Sequence, residues 1–277
     1  MSEWLDTIFH FLKVHWPDPR DFFSSVFFMA IAGSLAGAFA GARAAQRMAD
    51  KSRIKDELIR EIRSTNAAVM LAFGIANTLL SAKKQHIKSL KETFERHKLE
   101  AKDAIAKLQA GTGGEFRFQA DFRTLPILQV PISLLQTLIF EKISLQGRPI
   151  ILAATLAQTI EALNASIANR NQLVERFKAS KLPDNQVLAL YLGFAYEGRL
   201  NQEYAATVEA IYKLADDAIL SSAQLCGDLS SHGDELSAAF KKRFGRGAPR
   251  IHKPDFSKAA HAHLMPSKSE YGSMPIG

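Results

Sequence analysis

The chain of 277 residues has one cysteine, Cys226, so an intrachain disulfide is excluded. After Pro19 no proline occurs until Pro126, which leaves a long interval free of the residue that most firmly stops a helix. Charge is absent from a run of twenty-one residues between Asp21 and Arg43. Catalytic signatures are also missing: there is no glycine-rich phosphate loop, no HExxH, no paired-cysteine zinc spacing and no GxSxG. The sequence therefore supplies no reason to expect an enzyme, a resident metal or a cofactor. It speaks instead of helices and of a membrane.

The uncharged run, residues 22–42, contains Phe22, Phe23, Val26, Phe27, Phe28, Met29, Ile31, Leu35 and Phe39, with serine hydroxyls as its only polar side chains. At about 1.5 Å per residue it reaches roughly 30 Å, the thickness of a bilayer's hydrocarbon core. It is read as one membrane span over residues 21–43. Residues 1–20 precede it as an amphipathic segment for the interface, with Trp4, Ile8, Phe11 and Leu12 on one helical face and Trp16 near it. The flanks are asymmetric. Lys13 and Arg20 come before the run, whereas Arg43, Arg47, Lys51, Arg53, Lys55 and Arg60 follow it. Excess positive charge after the span predicts an external N-terminus and a cytoplasmic C-terminal region, with a bacterial inner membrane as the expected location. Arg43, Arg47, Lys51 and Arg53 are the residues expected to meet lipid headgroups. The same asymmetry argues against a cleaved signal peptide at Ala38-Phe39-Ala40.

Within the span, Gly33, Gly37 and Gly41 recur every fourth position, with Ser34 and Ala38 on the adjoining row. Small residues at that spacing let helix backbones approach closely in lipid, where apolar side chains gain little by meeting one another. The expected partner is a second copy of the span or another membrane protein.

Beyond Arg43 the apolar spacing of threes and fours continues through Ile54, Leu58, Ile62, Val69, Phe73, Ala76 and Leu80, then Ile87, Leu90 and Phe94. The uncharged stretch 64–82 raises a second span, but Asn66, Asn77, Thr65 and Thr78 favour a helix buried in protein. Lys84, Lys88, Lys91, Lys98 and Lys102 form a stripe read as a solvated face, since acidic residues are interspersed and stacking aromatics are lacking. Gly111 to Gly114 is expected to turn the chain, and Phe116, Phe118, Ala120 and Phe122 to alternate along an extended segment laid on the helices. Later helices follow from about Ile132, from Pro149 with a seam of Leu156, Ile160, Leu163, Ile167, Val174 and Phe177, and after Pro183 with Tyr204, Val208, Ile211, Ala215, Ala218, Ser222, Leu225 and Leu229. Asn164, Asn169 and Asn171 are assigned to a wet helix side, and Asp216, Asp217, Glu203 and Glu209 to the surface.

These elements give an all-α fold, in which a single N-terminal transmembrane helix is followed by an elongated antiparallel cytoplasmic helical bundle over residues 44–238. From Ala239 onward eight basic residues face two acidic ones. Residues 239–277 are therefore expected to form a basic disordered tail, with Lys241, Lys242, Arg243 and Arg246 as its main charge. His252, His261 and His263 in that tail lack the rigid surroundings a metal site needs. The function expected is a membrane-anchored scaffold or sensor that self-associates through the GxxxGxxxG span and meets a cytoplasmic protein. A membrane-perturbing effector, of toxin or defence type, is the alternative. A tether to anionic lipid or nucleic acid through the tail is a further one, with nucleic acid the less favoured partner.

Overall fold

The computed structural model describes residues 26–113 and 119–266. The interfacial segment, the first residues of the uncharged run, Phe116 and Phe118, and the last part of the tail lie outside the described residues. The fold is all-α: long helices dominate, and one two-stranded hairpin is the only sheet among the described residues. The chain divides into two units, Met1–Glu57 and Leu58–Gly277.

Helix α1, Val26–Ala82, runs through both units without a break. In the first unit every described side chain from residue 29 to residue 53 is exposed, including Met29, Ile31, Leu35 and Phe39. The helix is long and apolar enough to cross a membrane. Its later stretch is different, because Ala68, Val69, Ala72, Ile75, Ala76 and Leu79 are completely buried in protein. Residues 64–82 are thus a core segment, as their asparagines and threonines suggested. One turn of π-helix, Lys83–Ile87, joins α1 to α2, Lys88–Gln109. Burial steps by threes and fours across the junction, through Leu80, Lys83, Ile87, Leu90, Phe94, His97 and Ala101.

Residues 119–131 have no regular secondary structure and lead into the short α3, Ile132–Thr137, which ends in a second π-turn, Leu138–Lys142. Helix α4, Arg148–Ala179, begins after Gly147, whose positive φ of 72° turns the chain, and carries Pro149 in its first turn, where its missing N–H costs nothing. It too is long and apolar enough to span a membrane, yet Ala153, Leu156, Ile160, Leu163, Ile167 and Val174 face the protein core. Helix α5, Asp184–Leu192, stops at Gly193, which takes the left-handed conformation required there. The hairpin β1, Ala195–Tyr196, and β2, Arg199–Leu200, pairs antiparallel with Ala195 opposite Leu200. Helix α6, Glu203–Phe244, packs along α4, and its buried residues include all eight of the seam read from the sequence.

Residues 239–266 depart from the expected disordered tail, and the rest of that tail lies outside the described residues. Helix α6 continues to Phe244, and the following chain packs on the bundle with Ile251 and Leu264 buried, passing through the short α7, Ser257–His261. A few apolar anchors suffice. Ile251 joins Ile62 and Phe240 in a small core of its own, and Phe256 meets the edge of Phe73 at 5.4 Å between ring centres.

Candidate functional site

The face predicted for span association is open. A Cβ added at Gly33, Gly37 or Gly41 would meet nothing within 4 Å. Ser34 Oγ donates to the Ile31 carbonyl at 2.9 Å, so its hydroxyl is satisfied inside the helix. With Ala38 beside it, the surface is smooth and free of unpaired hydrogen-bonding groups. Arg43, Arg47, Lys51 and Arg53 are exposed on the next turns of α1. Only Arg53 has an acidic neighbour among the described residues, Glu57 at 3.8 Å, and that exposed pair contributes little. The described part of the first unit thus presents an apolar band followed by a cationic collar.

In the second unit the notable polar group is one that periodicity did not mark. Lys83, first residue of the π-turn, is 2% exposed and its Nζ donates to the Asp216 carboxylate on α6 and to the Leu264 carbonyl at 3.1 Å. The ammonium lies 5.0 Å from the Tyr212 ring centre. Asp216 is 4% exposed, so the expectation that it lies on the surface is corrected. Burying two charges is costly, and full pairing with extra acceptors is what makes the site tolerable. The cluster ties α1, α6 and the C-terminal segment together at one point. Its neighbour Lys84 is exposed, as the solvated stripe requires. Within that stripe Lys91 reaches Glu95 at 2.8 Å and also pairs with Glu209. Burial alone would lower the Lys91 pKa, but these carboxylates outweigh it and raise it.

A second correction concerns α4. Asn164 accepts from the Leu128 N–H at 2.9 Å and donates to the Leu128 carbonyl at 2.9 Å. Asn171 repeats the arrangement on Leu125, at 2.9 and 2.8 Å. Each amide pairs with both backbone groups of one residue, as a neighbouring strand would. Between them Arg170, 1% exposed, donates to the carbonyls of Asp121 and Arg123. Asn164 and Asn171, assigned to the wet side of the helix by their polarity, instead join Arg170 in fastening the segment 119–131 to the bundle. Asn169 donates to Thr207 on α6 at 3.2 Å.

Around Arg170 sits an aromatic group. Tyr191 and Tyr204 stack at 4.6 Å, Phe94, Phe122 and Phe177 surround them, and the Arg170 guanidinium lies 5.8 Å from the Tyr204 ring centre. Burial pushes both tyrosine pKa values up and, aided by Arg96, pushes His97 down. Every shift favours the neutral form, which suits a packed interior better than proton transfer at a solvent-facing site. Cys226 donates weakly to the Val69 carbonyl at 3.8 Å, and burial pushes its pKa up to about 12. A thiol held protonated is a poor nucleophile.

No cluster of three or more metal-ligating residues occurs among the described residues. His261 bonds through Nδ1 to the Ser257 carbonyl of its own helix at 2.7 Å. Lys241, Lys242 and Arg243 occupy the last turn of α6, where cations complement the negative end of the helix dipole, and Arg246 follows in the exposed connection. The charge placed in the tail from the sequence is therefore partly a helix-terminating device. Compared with protein-family models, curated proteins and solved structures, the chain matches none.

Proposed function

We propose that this protein is a membrane-anchored helical interaction protein. The first part of α1 crosses the bilayer once, and its glycine face associates with a second copy or another span. The second unit, in the cytoplasm of a bacterial cell, receives a protein partner. One observation carries the reading: residues 29–42 combine a fully exposed apolar surface with exposed cations immediately after it. Water is a poor solvent for such a band, at roughly 25 cal/mol per Å² of apolar area, whereas lipid covers it without cost to the backbone, which is hydrogen-bonded within the helix. The cations then stay at the inner headgroups and set the orientation.

Three arms test the proposal. Carbonate-washed membranes should retain the protein. Protease added outside cells should spare the C-terminal region. In a membrane association reporter, Gly33→Ile, Gly37→Ile and Gly41→Ile combined should abolish self-association while insertion persists. Recovery in the soluble fraction would reject the anchor, and unchanged association would reject the glycine face as the contact between copies.

A further inference from the structure

The last turns of α6 and the chain that returns along them line a half-open cavity of about 700 Å³. This volume falls within the range of small-molecule sites. Lys241 contributes from the helix and Arg250 and Lys253 from the returning chain, so cations line it from two backbones. Its one acidic side chain, Asp234, pairs with Lys253 at 2.8 Å. Lys241 and Arg250 have no acidic partner among the described residues, and the cavity retains an excess of positive charge.

The walls are fixed in place. Asn66 on α1 donates to the Arg250 carbonyl at 2.8 Å and accepts from the His252 N–H at 3.0 Å, clamping both sides of Ile251. The Ile251 side chain fills the space at Gly233, where a Cβ would come within 2.8 Å of it. Ser237 donates to the Pro249 carbonyl at 3.4 Å. Held this way, the backbone that carries Arg250 and Lys253 stays beside the last turns of α6 without a ligand, and its ordering entropy is already spent on folding. The nearby C-terminus of α6 repels anions, but its last turn carries Lys242 and Arg243 in addition to Lys241, which offsets the dipole.

We infer that this cavity binds a phosphate-bearing anion. Arg250 supplies a planar fork suited to two phosphate oxygens and Lys241 a compact opposing charge. A carboxylate would satisfy one of these cations, whereas a phosphate dianion satisfies both. The volume leaves space for the group that the phosphate carries. The phosphate belongs either to a soluble compound or to a lipid headgroup. The inference is independent of the proposed membrane anchor, since every lining residue belongs to the second unit.

The test uses the full chain in neutral detergent, titrated calorimetrically with inorganic pyrophosphate in one arm and with micelle-dispersed phosphatidylglycerol in the other. Lys241→Gln with Arg250→Gln should weaken binding about tenfold or more, the scale of lost charged hydrogen bonds. Lys242→Gln with Arg243→Gln removes the same charge outside the cavity lining and should change it less than about threefold by the same scale. The arm that responds names the source of the phosphate. Equal weakening by both pairs would show diffuse charge instead of a site, and heat in neither arm would also overturn the inference. Both pairs are surface residues and should melt as the parent does. If the first pair melts early, Arg250→Lys keeps the charge and loses the fork, so it should still bind pyrophosphate several-fold more weakly; unchanged affinity would count against the site.

Discussion

Two stretches of the same helix, residues 29–42 and 68–80 of α1, are both uncharged and both rich in alanine and large apolar side chains. In the first, Leu35 is 64% and Phe39 69% exposed; in the second, Ile75 and Leu79 are 0% exposed. Charge and length do not separate them, and Asn77 and Thr78 are the only hint in composition that the second is the covered one. The difference lies in what stands opposite. The later stretch shares a core with α4 and α6, whereas the earlier one is exposed among the described residues of its own unit. An apolar helix thus reports a need for cover, and only packing reports whether the same chain meets it.

The sharpest way to break this comparison is at the end of the covered stretch. Lys83→Met takes the cation away from the buried Asp216 carboxylate and should cost about 3–5 kcal/mol in denaturant unfolding. The double change Lys83→Met with Asp216→Leu should recover most of that loss, and a double variant as unstable as the single one would show that the packing is at fault. Next, Leu79→Ala should cost about 2–5 kcal/mol through the cavity it leaves. Leu35→Ala should leave the unfolding of the second unit unchanged, a contrast read directly from paired denaturation curves.

The glycines of the two units should separate in the same way. Gly233→Ala forces a Cβ against Ile251 and should cost about 1–3 kcal/mol, whereas Gly37→Ala meets nothing within 4 Å among the described residues and should not alter the melt. Asn164→Ala strands the Leu128 amide and carbonyl and should cost about 1–2 kcal/mol. Hydrogen exchange should accelerate at Leu128 and much less at Leu125, which Asn171 still holds.

The smallest effect is pH-dependent. Burial alone would raise the Glu61 pKa, but the Ser144 hydroxyl and amide, with His232, outweigh it and hold it below the ordinary 4.5. A depressed carboxyl stabilises the fold above that ordinary value, and its contribution disappears as pH falls through the folded-state value. Glu61→Gln should therefore flatten the loss of stability on acidification below about pH 4.5; parallel curves for parent and variant would remove this residue from the account.

Much of the fold was legible because burial on a helix repeats. The seams on α4 and α6 follow steps of three and four, and every α6 residue chosen by that rule is buried. Pro149 marked a helix start by backbone chemistry that needs no partner. The stop at Gly193 and the hairpin after it were not read, because the chain beyond Pro183 was expected to continue as one helix. Polar residues were misread or passed over where their partners are remote in sequence. Asn164 binds a backbone 36 positions away, and Lys83 binds a carboxylate 133 positions away, so neither contact leaves a local pattern. Weighting Asn164 and Asn171 by their seven-residue spacing, which places them on one helix face, was the available signal. The segment after residue 238 was misjudged because composition averages over it, whereas its packing depends on single anchors such as Ile251 and Phe256.

The sequence by itself determined that the chain is helical, where its apolar faces lie and where its positive charge collects, because these follow from local spacing and from the sign of each side chain. Tertiary structure alone decided which side chains cover the later apolar stretch, which asparagines grip a backbone and which lysine is buried. Those outcomes depend on groups that meet only after the chain has folded, and a buried charge or amide is tolerated only where such a partner has arrived.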